Sequence, residues 1–223
     1  MPATSEFRFA KDLPATIPVF PLPGALLLPR GQMPLNIFEP RYLAMIDDAL
    51  AGKRIIGMIQ PDPSPVSNYG PPPLYPVGCA GRITQFSETG DGRYLITLTG
   101  LARFRIREEL TAITPYRQFE VDFSSYARDL VPREGDDAVD RDSLLKALAD
   151  FAKANEIEID WDNVRQAPNE PLVNALAMMA PYGEKEKQAL LEAADLKARA
   201  EILVAITEIE LARTGDGSDS SMQ

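Results

Sequence analysis

Residues 18–42 read PVFPLPGALLLPRGQMPLNIFEPRY, an apolar run broken by six prolines. A continuous helix is excluded, because each interior proline deletes an N–H donor and its ring clashes with the preceding turn. A Pro-rich linker is excluded too, since linkers are polar and this run carries Phe20, Leu22, Leu26, Leu27, Leu28, Leu35, Ile37 and Phe38. The pattern therefore predicts short strands with prolines at their ends and edges. Ile17–Phe20 reads as a first strand, ended by the turn residues Pro21, Pro23 and Gly24, and Ala25–Leu28 as a second. Met33–Phe38 reads as a third, with Leu35 and Ile37 on one side. At Glu39-Pro40 the period changes. Proline suits the first helical position, and Tyr42, Ile46 and Ala49 follow along one face, so residues 40–50 are expected to be a short amphipathic helix capped by Gly52.

Beyond this stretch, Arg54–Gln60 (RIIGMIQ) has strand length and composition, and the seven prolines between Pro61 and Pro76 predict a surface loop. VGCAGRITQFSE and RYLITLTGLARFRIREEL flank Asp91-Gly92, a strong hairpin signal because both residues tolerate positive φ. YRQFEVDFSSY is a further strand segment. Residues 129–141 (DLVPREGDDAVDR) read as a boundary, after which Leu144, Leu145, Leu148 and Phe151 recur at helical spacing behind a cap at Asp140 or Asp142. Residues 155–164 (NEIEIDWDNV) fit a strand or a helical turn equally. Three helices follow, in LVNALAMMAPY, EKEKQALLEA and LKARAEILVAITEIELAR. The expected fold class is α+β. A β-rich part with one short helix (residues 1–128) precedes a helical bundle (129–213), between a loose N-terminus and a disordered tail (214–223).

Composition narrows the chemistry. The 223 residues, 45% of them hydrophobic, suffice for one large domain or two small ones. The net charge of −10 is uneven: residues 1–128 hold 13 Lys/Arg and 12 Asp/Glu, the remainder 10 and 21. An acidic second half disfavours nonspecific nucleic-acid binding, which depends on neutralising phosphates. No apolar run approaches the roughly 20 residues of a membrane helix, and MPATSEFRFAKDL lacks a secretory signal, so a cytoplasmic protein is expected. The chain has no histidine, which removes Ser-His and Cys-His nucleophile pairs and most transition-metal sites. No catalytic residue, metal or cofactor is expected.

These segments together resemble a known family. The opening motif with GMIQP after it, PLYPVGCAGRI, DGRYLITLTGLARFRI and LVNALAMMAPYGEKEKQALLEAADLKARAE are similar to the N-terminal substrate-binding domain of bacterial Lon proteases, in its small stand-alone form, over residues 15–212. The resemblance implies a twisted β pseudo-barrel beside a C-terminal helical bundle, and kinship with the Lon-like domain of cereblon. It further implies recognition of unfolded or tagged protein substrates. The sequence holds no G-x-x-x-x-G-K-[ST] phosphate loop and no segment like the protease's Ser-Lys site, so neither ATPase nor peptidase activity is expected.

The expected function is thus a non-enzymatic binding module for peptide or unfolded segments, working with another protein. The alternative is a regulatory protein that binds a folded partner through its acidic helical half, and an enzyme using carboxylates or lysine is the remote third. Candidate binding residues are Pro23, Glu39, Arg41 and Tyr42 of the opening motif and Tyr69, Leu74 and Tyr75 of the proline loop. Glu39, Arg41 and Tyr42 also have a plainer role, as charge at a helix start and packing. Alternation places Arg103, Arg105 and Arg107 on one strand face, where an anion could bind, although a solvated face that discourages edge pairing is the simpler reading. Cys79, between small residues, reads as a buried inert thiol.

Overall fold

A computed structural model describes residues 7–63 and 71–219, with side chains to residue 213. The chain divides into two compact units, one of residues 1–132 with 181–191 and one of residues 133–180 with 192–223.

The first unit is built on six strands: β1 (Thr16–Pro21), β2 (Gln32–Ile37), β3 (Ile55–Ile59), β4 (Val77–Thr89), β5 (Arg93–Glu109) and β6 (Gln118–Asp122). Their order is β2-β5-β4-β3-β1-β6, and β5 also pairs with β6. That extra pairing closes β5, β4, β3, β1 and β6 into a ring. Only β1 and β3 run parallel. Inward residues alternate as a strand requires: Ile17 and Val19, Ala102 and Phe104, Phe119, Val121 and Phe123 all enter one core. Phe7 and Leu13 join it, so residues 7–15 are anchored and not loose, while residues 1–6 lie outside the described residues. β4 and β5 are long and bulged, and their far halves, with β2 alongside, extend past the ring as a three-stranded sheet.

Helix α1 (Pro40–Ala51) begins with Pro40 in its first turn and buries Tyr42, Met45, Ile46 and Ala49, as the spacing predicts. Ala25–Leu28 does not form the expected strand. Leu26, Leu27 and Leu28 are buried, yet the backbone crosses β5 and bonds it only at Gly100, where Arg30 N–H donates at 2.8 Å and Gly31 O accepts at 2.9 Å. A Cβ on Gly100 would lie 2.0 Å from Leu28 O, so glycine is what lets this crossing approach. Helix α5 (Glu184–Glu192) belongs with this unit too, although its sequence position placed it among the later helices.

The second unit holds α2 (Arg141–Ala154), α3 (Trp161–Gln166), α4 (Asn169–Met179) and α6 (Leu196–Asp219). Asp140 caps α2 by accepting from Ser143 N–H, and Asp160 caps α3 from Asn163 N–H, so the ambiguous stretch resolves as a short helix. Leu144, Ala147, Leu172, Val173, Ala177, Ala200 and Leu203 are buried. Asn174 accepts from Arg199 at 3.0 Å, and Asp136 accepts Glu170 N–H at 2.7 Å. The α6 backbone stays helical through Asp219, beyond the Thr214 at which a disordered tail was expected; residues 220–223 lie outside the described residues.

Candidate functional site

The end of the opening motif builds a compact cluster at the start of α1. Tyr42 is 6% exposed and packs on Phe20, ring centroids 4.4 Å apart. The exposed Arg41 guanidinium lies 4.5 Å over the Tyr42 ring, held there by Glu39, whose carboxylate accepts Arg41 Nε at 2.9 Å. Burial pushes the Tyr42 hydroxyl above its ordinary pKa, with the Arg41 and Arg117 charges pulling the other way. Tyr42 is thus largely a packing residue. Arg41 is the group of the trio that faces solvent, with its Nε and NH2 both on the Glu39 carboxylate, the pairing with a neighbouring acid that its plainer role entails.

The proline loop approaches through Arg117, a residue the motifs did not single out. Its guanidinium grips Glu109 bidentately at 2.7 and 2.6 Å and donates to Pro72 O at 2.9 Å, so it ties the loop to β5. Leu74 bridges to Pro61 and Tyr75 N–H donates to Gln60 O at 3.0 Å. Gln60, 1% exposed, also accepts Gly24 N–H at 3.1 Å and donates to Gln188 of α5 at 3.1 Å. The Pro23-Gly24 turn and Tyr75 are therefore both tied to one buried residue, the first through its side-chain amide and the second through its backbone carbonyl. Tyr69 lies outside the described residues. Gln60 and Arg117 act through contacts distant in sequence, and no local signal marks either.

Strand β2 leads from the turn at Arg30 to Phe38 and, among the described residues, pairs with β5 alone, which leaves its other edge open. Pro34 within it has no N–H to pair, a placement confined to edges. Phe38 links β2 to α1 and is 63% exposed. Phe86 and Leu95 of the neighbouring strands are also exposed, at 39% and 46%, and with Pro34 they border a shallow depression of ≈ 410 Å³. Tyr94 donates to Asp47 of α1, which raises its pKa and fixes the hairpin to the helix.

The three arginines separate. Arg103 is 3% exposed, contrary to the solvated face expected. Its backbone N–H, Nε and NH2 all reach the Asp129 carboxylate at 2.8–2.9 Å, NH1 donates to Leu191 O at 3.0 Å, and its plane stacks 4.3 Å from the Tyr126 ring. The turns over Ser124–Leu130 and α5 supply these partners and cover that part of β5. Arg105 and Arg107 stay exposed, Arg107 paired with Asp122. Cys79 is 1% exposed. Among the described residues no three His, Cys, Asp or Glu side chains gather as metal ligands, and no helix is long and apolar enough to cross a membrane.

Residues 16–208 match the family model of the ATP-dependent protease La (LON) substrate-binding domain. The chain belongs to that family. Lon protease 2 of Myxococcus xanthus is 28% identical over 198 residues, which are 87% of this chain and 24% of the relative. The Lon protease of Anaeromyxobacter dehalogenans is 26% identical, with 87% and 23% covered. This Lon substrate-binding domain thus spans about a quarter of the length of the curated relatives it matches. Its fold is shared with the Lon N-terminal domain protein from Xanthomonas campestris (TM-score 0.61, 24% identity, covering 85% of this chain and 97% of that one). It is shared equally with the N-terminal domain of the Mycobacterium avium complex Lon protease (TM-score 0.62, 18% identity, covering 86% and 98%). Both likenesses place the chain in the mixed α+β class.

Proposed function

We propose that this Lon substrate-binding domain is a non-catalytic capture module that holds extended or unfolded protein segments for another protein to process. The observation that carries the reading is the open edge of β2 running directly into exposed Phe38 and Arg41. An unpaired edge offers backbone donors and acceptors to an added strand, and flanking apolar and cationic groups select its side chains. Exposed Phe86 and Leu95 widen the apolar surface, and buried Tyr42 anchors the start of α1 that follows Phe38. The family's named role in substrate binding supports the same assignment.

The test is a titration of the protein with fluorescently labelled casein and other permanently unfolded chains, repeated with Phe38→Asp and Arg41→Ala. Micromolar binding that weakens about tenfold in Phe38→Asp is expected, since a charge at a desolvated apolar contact costs over 1 kcal/mol. Absence of binding to any unfolded chain at high micromolar concentration would sink the reading.

A second reading is favoured by charge alone. The second unit holds 8 Lys/Arg against 18 Asp/Glu and exposes Met179 and Ile157, features suited to a folded basic partner. Partners retained in the presence of excess unfolded competitor would support it.

A further inference from the structure

Away from the β2 edge, the end of α1 opens into a hollow of ≈ 380 Å³. Buried Ile17, Ala49 and Ile55 lie beneath it, the half-buried Pro14 and Pro18 give its accessible apolar surface, and Lys53 and Arg54 stand in its wall. Their placement follows from how the helix stops. Gly52 N–H and Arg54 N–H both donate to Ala49 O, at 3.1 and 2.9 Å, and Arg54 takes a left-handed backbone with φ 61°. A left-handed residue just past a helix end is ordinarily glycine, which has no Cβ to clash. Arginine here is the less stable choice for the backbone, and what it adds is an exposed guanidinium. Among the described residues no carboxylate pairs with the Arg54 or Lys53 side chain; Lys53 Nζ donates only to the Asp12 carbonyl, at 3.2 Å.

The one acid in the wall, Asp48, is already engaged. It accepts the Tyr116 hydroxyl at 2.6 Å, and burial together with this bond pushes the Tyr116 pKa up to about 12, so the phenol remains a donor throughout the physiological range. The hollow therefore combines half-buried proline rings, two cations against the single Asp48 carboxylate, and space at the small end of the range for ligand sites. In a polypeptide, an apolar side chain and a carboxylate occur on a single residue only at an apolar C-terminus. An internal Asp or Glu brings the charge without the apolar group, and an internal Leu the reverse.

We propose that this hollow binds the C-terminal residue of a polypeptide, its side chain against Pro14 and Pro18 and its free α-carboxylate on Lys53 and Arg54. The proposal rests on the reading of the domain as a binder of polypeptide segments, but names a site distinct from the β2 edge. Carboxylate capture by fixed donors is an established mode of peptide recognition. The two cations give it charge selectivity, and the size of the hollow limits it to one or two residues.

The experiment is fluorescence anisotropy on the full chain with a labelled ten-residue peptide ending in Ala-Leu, as the free acid and as the amide. Amidation is expected to weaken binding about tenfold, the loss of a charge-assisted contact. Arg54→Gly is the decisive variant, because it relieves the left-handed backbone: Tm should rise by about 2 °C while the acid binds no better than the amide. Loss of binding thus cannot be ascribed to unfolding. Equal affinity of acid and amide, or an unchanged preference in Arg54→Gly, overturns the proposal, as does decanoate displacing the peptide at the peptide's own concentration. A head-to-tail cyclised unfolded peptide separates the two sites. If it binds and Phe38→Asp abolishes that binding while acid and amide do not differ, capture at the β2 edge stands and the C-terminal site falls.

Discussion

Arg103 and Asp129 form an ion pair with side chains 4% and 9% exposed, and the arginine's remaining donors reach the backbone of α5. Burial works against the guanidinium charge, and the Asp129 carboxylate more than offsets it, so the Arg103 pKa lies above its ordinary value. Removing one partner leaves the other charge buried without compensation, a loss of about 3–5 kcal/mol. Asp129→Ala is therefore expected to lower the denaturant midpoint sharply. A matched apolar replacement of both, Arg103→Met with Asp129→Leu, should recover part of that loss because it also removes the desolvation cost of the two charges, while the backbone N–H at position 103 and Leu191 O lose these partners. Urea melts of the two variants check this, and a double variant no better than the single one would show that the pair itself supplies net stability. Nothing local to RFRIR marks this arginine. Alternation correctly puts Arg103 and Arg105 on one face, but what covers that face comes from residues 124–130 and 184–192.

At the scale of elements, most strands and helices are legible because their signals are local: the Pro40 start of α1, the Asp91-Gly92 turn and the Asp140 cap each act within four residues. Ala25–Leu28 shows the limit. Its apolar run is right for a strand, but a strand needs a hydrogen-bonded neighbour along its length, and among the described residues the chain here bonds β5 only at Gly100, through Arg30 and Gly31 just past the run. Likewise the binding candidates come from two local motifs, the opening stretch and the proline loop, whereas the contacts of Gln60 and Arg117 with those motifs and with α5 reach partners up to 128 residues away.

The turn that ends β6 makes a further element-level prediction. Asp122 accepts Ser124 N–H at 2.8 Å and Ser124 Oγ at 2.9 Å and pairs with Arg107, and these bonds, in that order of weight, lower its pKa to about 2. A carboxylate whose pKa is depressed by folding stabilises the fold above its unfolded value near 4 and loses that contribution as pH falls through the folded value. Stability is therefore expected to drop between about pH 4 and pH 2. In Asp122→Asn the melt should start lower at pH 7 and fall less across that window. Urea midpoints from pH 2 to pH 7 test it, and parallel curves for the two proteins would count against the assignment.

Across the whole molecule, charge is partitioned by unit. The first holds 15 Lys/Arg and 15 Asp/Glu and is neutral, whereas the second carries the entire net −10. Two modes of association then have opposite salt signatures. Capture at the β2 edge relies on backbone pairing and the apolar Phe38, Phe86 and Leu95, which salt hardly screens. A basic protein attracted to the second unit depends on exposed charges, whose interaction weakens steeply once the Debye length falls below about 10 Å. For an unfolded chain of near-zero net charge, the dissociation constant is expected to change less than about threefold between 0.05 and 0.5 M NaCl, because Arg41 at the end of the edge is already paired with Glu39. Titrations at both salt concentrations decide between the modes. A tenfold or greater loss at high salt would shift the binding surface to the acidic unit, whereas constancy together with sensitivity to Phe38→Asp keeps it at the open strand.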